Sequence, residues 1–296
     1  MGFYYFLRRR RGGERRSTMR QHYLYIFLLA GLLILLCALC ACGDTQEPIP
    51  VKPFVNTDAQ DSSAPTNTDA AASPKGMILI DPGHGFDDPG CTAYDGSFTE
   101  AQITEAVGGL LQEELVSRGW NVELTHDGKH MPDAGLLHES ARKMPLRNDI
   151  NVNPQEWVCD NNLFSKYERV LYANARNQET PVTLFLSLHV NSVETSAQTV
   201  RGFEIDYYKE HPDAFAAHSF SEILGSILEN TFHQKAKIFA DNKKEAFVVT
   251  KYTDMPSVLL EMGYASNTED AALLASAKFQ MRLAQAIADA VDNIFK

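Results

Sequence analysis

The chain has 296 residues, with 27 Lys and Arg against 38 Asp and Glu and a formal net charge of −11. Seven of the basic residues are arginines within the first twenty positions, so the remainder is more acidic. From Gly76 to Lys296, 18 basic residues stand against 32 acidic ones, a net of −14, which excludes a nucleic-acid-binding surface and disfavours a polyanion as a broad ligand.

Behind the arginines runs an apolar stretch of 19 residues, Tyr23 to Ala41. Positive charge followed by apolar residues resembles a signal peptide or an uncleaved signal anchor, and either carries the rest of the chain across a membrane. The stretch exceeds the ~7–15 residues of a signal-peptide core and approaches the ~20 that span a bilayer, so length leaves both readings open. Its end, Leu39-Cys40-Ala41-Cys42, resembles a bacterial lipobox, although Cys40 stands where a small or hydroxylated residue is usual. Residues 1–42 are therefore expected to anchor the protein outside the cytoplasm on a bacterial membrane, through lipid on Cys42 or through a helix. Residues 43–75 are rich in Pro, Ser, Thr, Asp and Ala. Such a segment buries too little apolar surface to fold and reads as a flexible tether.

From Met77 onward, short apolar runs alternate with amphipathic stretches, the pattern of an α/β domain. Residues 76–296 are expected to form it as one unit. Met77 to Asp81 reads as a buried strand. Glu100 to Arg118 reads as a helix with Ile103, Val107, Leu111 and Leu115 on one side, stopped by Gly119 before a strand at Asn121 to Thr125. Further helices are predicted over about Tyr167 to Gln178, Pro212 to Thr231 and Glu269 to Phe295, and strands over Val182 to Leu188, Gly202 to Tyr208 and Ser257 to Glu261. The segment 127–166 interrupts the alternation and is long for a connection, so it reads as an insertion with a role or short helices of its own. Past the leader only Cys91 and Cys159 remain. An exported protein permits them to pair, but two thiols are too few for a Cys-based zinc site, and a metal here would use His and carboxylate.

Two histidines follow apolar strands in the same manner: His84 in the turn Asp81-Pro82-Gly83-His84-Gly85, and His189 after Thr183 to Leu188. If the strands are neighbours, the imidazoles converge at the sheet edge where α/β proteins bind ligands. A hydrolytic zinc site takes about three protein ligands, commonly two His and one carboxylate, and keeps a position open for water. Asp87, Asp88, Asp95, Glu100 and Glu105 are candidates for the third; Glu100 is preferred because it opens a helix that fixes its side chain. Glu261 ends an otherwise apolar strand, where a carboxylate is costly without a function, and is the candidate general base.

The blocks ILIDPGHGFDDPG at 78–90, FLSLHVNS at 185–192, GFEIDYY at 202–208 and MPSVLLEMGYASNTED at 255–270, with Glu100 between the first two, resemble the zinc-dependent N-acetylmuramoyl-L-alanine amidases with a type 3 catalytic domain. The resemblance implies a three-layer α/β/α sandwich around a mostly parallel sheet of about six strands. It implies zinc on His84, Glu100 and His189, with Glu261 as the catalytic glutamate. The substrate would be peptidoglycan, cut between N-acetylmuramic acid and L-alanine, and Asn191 and Asn267 would hold turns. Two departures stand out: Phe86 replaces a usual glycine, and Thr125-His126 replaces a Thr-Arg pair. Some relatives carry an extra helix that a partner protein displaces from the active site, and the segment 127–166 has the length for such a gate or for a stabilising addition. The same ligands would serve a zinc peptidase acting on another cell-wall amide, whereas an inactive wall-binding lipoprotein would have no use for Glu261.

Overall fold

The structure, a computed structural model, describes residues 75–145, 153–159, 162–194, 199–241 and 246–295. The leader stretch Tyr23 to Ala41, Cys42 and the tether up to residue 74 lie outside the described residues. Among those described, no helix is long and apolar enough to cross a membrane.

Six strands form one sheet: β1 (Met77–Pro82), β2 (Asn121–Leu124), β3 (Val182–Asn191), β4 (Phe203–Tyr208), β5 (Ala236–Asp241) and β6 (Ser257–Tyr264), in the order β2-β1-β3-β6-β4-β5. Pairing is parallel except between β4 and β6, so β4 and β5 run against the other four. β1 and β6 are buried along their whole length, as strands covered on both faces must be, and they accordingly read as continuous apolar runs. The helices are α1 (Glu100–Ser117), α2 (Ala134–Lys143), α3 (Lys166–Glu179), α4 (Ala214–Phe232), α5 (Val248–Tyr252), α6 (Thr268–Leu274) and α7 (Ala277–Ile294).

Alternate strand residues point to opposite faces, and the core divides accordingly. Ile78, Ile80, Leu184, Leu186, Val258 and Leu260 meet α1, α4 and α7, whereas Met77, Leu79, Phe185 and Leu259 meet α2, α3 and α5. The result is the expected α/β/α sandwich. In α1 the spacing of Ile103, Val107, Leu111 and Leu115 puts all four into the first core, each full burial contributing about 1.5–3 kcal/mol. A capping box of Thr99 and Gln102 starts that helix. Gly119 ends it in the left-handed region, at φ 86°, where a side chain would be strained.

Two differences from the sequence reading have physical causes, and the segment 127–166 carries the short helices expected of it. β5 was not anticipated, because it is an edge strand only partly covered, with Phe239 exposed, and lacks a buried apolar run. The helix expected over Glu269 to Phe295 is two helices, since the chain breaks at Ala275 and Ser276. In the segment 127–166, α2 packs on α3, with Ser140 Oγ donating to the Leu171 carbonyl at 2.6 Å. Leu137, Ala141, Trp157 and Phe164 of this segment are buried in the second core. Cys91 and Cys159 are free thiols.

Candidate metal centre

β1 runs into the turn that carries His84 at the carboxyl edge of the parallel strands. His84 and Phe86 take left-handed backbone conformations, φ 64° and 57°, which cost about 1–2 kcal/mol per residue with a Cβ. Arg169, buried on α3, holds this turn in place. Its guanidinium donates to Asp81 Oδ1 at 2.6 Å, to the Pro82 carbonyl at 2.7 Å and to the His84 carbonyl, and its Nε donates to the Phe164 carbonyl at 3.1 Å. Thr125 and Ser187 hydroxyls complete the shell around Asp81. Burial opposes ionisation of Asp81, but the Arg169 charge and these hydroxyls hold its carboxyl below the usual carboxylate range.

β3 continues past the histidine to Asn191, so His189 projects from a paired strand position and not from a loop. Its register partner on β6 is Glu261, whose partner on β4 is Glu204. Strand parity puts His189 on the same sheet face as Phe185, and Glu261 on the face of Leu259. Gly83 lies so close to His189 that a Cβ there would be 2.5 Å from the ring; only glycine fits.

Glu100, at the first position of α1, reaches over the sheet edge to both histidines. Its Oε1 lies 3.2 Å from His84 Nε2 and 3.0 Å from His189 Nδ1. The N–H groups of Val190 and Cys91 donate to its two oxygens at 2.9 Å each. One ligand atom from each of His84, Glu100 and His189 lies within 4.8 Å of the others. Burial opposes ionisation of Glu100, but hydrogen bonds from His189 and His84 outweigh it and keep the carboxyl well below its ordinary range. On the outer side of His84, Nδ1 lies 2.8 Å from Asp88 Oδ2, and Asp88 is fixed by the Gly90 N–H at 3.1 Å. A carboxylate on one ring nitrogen sets the tautomer and leaves the other nitrogen free for a metal.

The residues fit a divalent cation. Two imidazoles and a carboxylate are a donor set that zinc accepts. Glu261, 8% exposed, has an Oε2 with no hydrogen-bond partner among the described residues. Burial, and then the carboxylates of Glu100, Asp206 and Glu204, push its carboxyl well above the usual range. Asp206 is itself pushed up to about 7 by burial and by Asp241 and Glu204. Buried carboxylates without compensation are costly, and a cation held between the histidines and Glu100 would offset them. Beside His84 and His189 opens a cavity of about 500 Å³.

The other sequence candidates lie elsewhere. Asp87 borders the cavity and donates its N–H to the Asn162 carbonyl at 3.2 Å. Asp95 accepts from Ser97 N–H in an exposed turn, and Glu105 sits over Gly128. His126 spends both nitrogens away from the centre: Nε2 lies 2.7 Å from the Pro82 carbonyl, and Nδ1 accepts from Gly128 N–H at 3.0 Å. Phe86 packs against His126 and Phe164, with centroids 5.1 and 6.5 Å away, and so fills local space. Asn267 caps α6 by accepting from Glu269 and Asp270 N–H groups, and Asn191 donates to Glu204. Sequence reasoning missed Arg169 and the orienting role of Asp88. Arg169 was detectable as a charged residue one turn before Ala173, on the buried side of α3.

A family model described as N-acetylmuramoyl-L-alanine amidase matches residues 78–293, which take in every side chain of the centre. The chain belongs to this amidase family. Among curated amidase-family relatives, AmiA of Escherichia coli K12, an N-acetylmuramoyl-L-alanine amidase, is 26% identical over 232 residues, covering 75% of this chain and 76% of its own. The uncharacterized protein YqiI of Bacillus subtilis is 27% identical over 219 residues, 74% of this chain and 84% of its own. AmiC of Neisseria meningitidis is 23% identical over 220 residues, and the match spans 52% of its length, so this chain corresponds to about half of that amidase. The amidase catalytic domain of CwlV from Bacillus (Paenibacillus) polymyxa superposes with a TM-score of 0.53 at 24% identity, covering 74% of this chain and 97% of that one, and shares the fold.

Proposed function

We propose that the protein is a peptidoglycan hydrolase that cleaves the amide between N-acetylmuramic acid and L-alanine, with zinc held by His84, Glu100 and His189. The observation that carries this reading is the buried Oε2 of Glu261, without a hydrogen-bond partner among the described residues, on a strand register shared with one of the three converging ligands. Zinc, when bound, supplies Lewis acidity toward the scissile carbonyl and lowers the pKa of water to about 7. Glu261 removes a proton from the attacking water and hands it to the leaving alanine nitrogen. Asp88 holds the His84 ring, and Arg169 holds the turn that presents it. The extended β3 and β6 fix His189 and Glu261 without a loop between them.

In this reading the activity lies outside the cytoplasm, with the leader as its tether through Cys42 or through the apolar stretch Tyr23 to Ala41. The segment 127–166 acts as a support: a partner that displaced it would expose Leu137, Trp157 and Phe164 to water. Incubating the full chain with purified peptidoglycan, with zinc or with a chelator, tests the proposal by mass spectrometry of the products. Zinc-dependent release of stem peptides with a free N-terminal alanine is the expected result. Cleavage within the stem peptide would make the protein a peptidase, and no cleavage by folded, zinc-loaded protein would overturn the enzymatic reading.

A further inference from the structure

Glu261 shares its row of the sheet with a second carboxylate that the cleavage chemistry does not use. Register places His189 on β3, Glu261 on β6, Glu204 on β4 and Lys237 on β5 side by side. Directly opposed residues of neighbouring strands project from the same face. From the metal ligand outward, the order is therefore imidazole, carboxylate, carboxylate, ammonium. Like charges in directly opposite positions destabilise a sheet, so the Glu204–Glu261 pair needs compensation, and the structure supplies it to Glu204.

Glu204 is held from three sides. Asn191 Nδ2 donates to its Oε2 at 3.0 Å, and Lys237 Nζ donates to its Oε1 at 2.9 Å. Burial and a hydrogen bond to Glu204 push the Tyr264 hydroxyl above its ordinary range. A regular strand would turn Tyr264 to the face opposite Glu261. Instead the register slips: His189 faces Glu261, while Asn191, two residues on, faces Tyr264, three residues on. Gly263 stands in the slip at φ 145°, a conformation open to glycine, and the bulge re-aims Tyr264 toward Glu204. Three donors thus converge on Glu204, and Oε2 of Glu261 is left without a hydrogen-bond partner among the described residues. Lys237 is the donor with the reach to change this. It lies two strand spacings, about 10 Å, from Glu261, a gap that its flexible stem and the Glu261 side chain span together once Glu204 is gone. An ammonium on Glu261 would occupy the oxygen that takes the proton from water and would have to leave at each turnover.

We propose that Glu204 is a positioning residue for Glu261: by binding Lys237 it keeps the ammonium off the unpartnered oxygen and leaves that oxygen open to water. The inference rests on the amidase reading, in which Glu261 carries the proton. The full, zinc-loaded chain is assayed on a soluble muramyl peptide for kcat and KM separately. Glu204→Ala is expected to lower kcat roughly 10–100-fold, the range of a hydrogen bond to a charged group, with KM little changed. Removing the cation as well, in Glu204→Ala/Lys237→Met, restores kcat to within about threefold of wild type, which a merely structural role of Glu204 would not do. Glu204→Gln keeps the side chain's volume and carries the same comparison should the truncation not fold. A water-soluble carbodiimide joins a lysine amine to a carboxylate in contact with it and gives a readout independent of turnover. Peptide mass spectrometry is expected to find Lys237 linked to Glu204 in wild type and to Glu261 in Glu204→Ala. A double variant as slow as Glu204→Ala, or Lys237 linked to Asp206 in place of Glu261, overturns the role and leaves the amidase reading intact. Wild type that cleaves no muramyl peptide overturns both.

Discussion

Replacing Glu261 by Gln separates catalysis from folding, because the two move in opposite directions. The side chain keeps its size, the sheet keeps its register, and what disappears is a carboxylate that is 8% exposed and whose Oε2 has no hydrogen-bond partner among the described residues. Glu100, Asp206 and Glu204 all oppose its ionisation, so in metal-free protein the neutral amide is expected to leave Tm equal or higher. Losing a general base lowers kcat by about 10²–10⁴, or about 2.7–5.4 kcal/mol of barrier. Release of free N-terminal alanine from peptidoglycan gives the rate, and calorimetry of the same preparation gives Tm. A rate within threefold of wild type, or a loss that follows a fall in Tm, would refute Glu261 as the proton carrier.

Arg169→Met leaves Asp81 ionised and buried without its partner. The expected loss is about 3–5 kcal/mol in denaturant unfolding, and a loss below about 1 kcal/mol would mean that Thr125 and Ser187 suffice. Asp81 also sets a pH dependence. Its folded-state pKa lies below the unfolded value of about 3.9, so the unfolded chain takes up the proton first. The stability it contributes is complete above that value and is lost as pH falls through the folded one. The stability gap between wild type and Asp81→Asn should therefore narrow on acidification below pH ~4, and a gap that widened would contradict the sign. Asp88→Ala removes the partner of His84 Nδ1 and is expected to weaken zinc affinity 10–100-fold, measured by competition with a chromophoric chelator; unchanged affinity would show that the turn alone fixes the ring.

The central sheet was legible because β1, β3 and β6 are buried on both faces and leave no ambiguity of period. The apolar runs put His189 just after one strand and Glu261 at the end of another, although the strands run further than those runs suggest: polar Asn191 still belongs to β3. Glu100 could be preferred over Asp87 and Asp88 because a helix N-terminus holds its direction. What the sequence did not disclose depends on distance along the chain. Arg169 lies 88 residues from Asp81, and nothing in either local pattern shows that α3 leans over the turn of β1. Asp88 was visible as a carboxylate near His84, but only three-dimensional placement separates a residue that binds a metal from one that steadies its ligand.

Glu261 stands within a strand and on its register partners, so the reading frame of β6 is itself part of the site. Adding or deleting one residue between Ser257 and Leu260 would turn the carboxylate into the packing beneath α4 and α7 and bring an aliphatic neighbour to the cleft, even with every side chain of the centre retained. The turn after β1 carries His84 and Asp88 and shares this constraint, and the spacing inside β6 tolerates substitution of its aliphatic residues better than it tolerates a change of length.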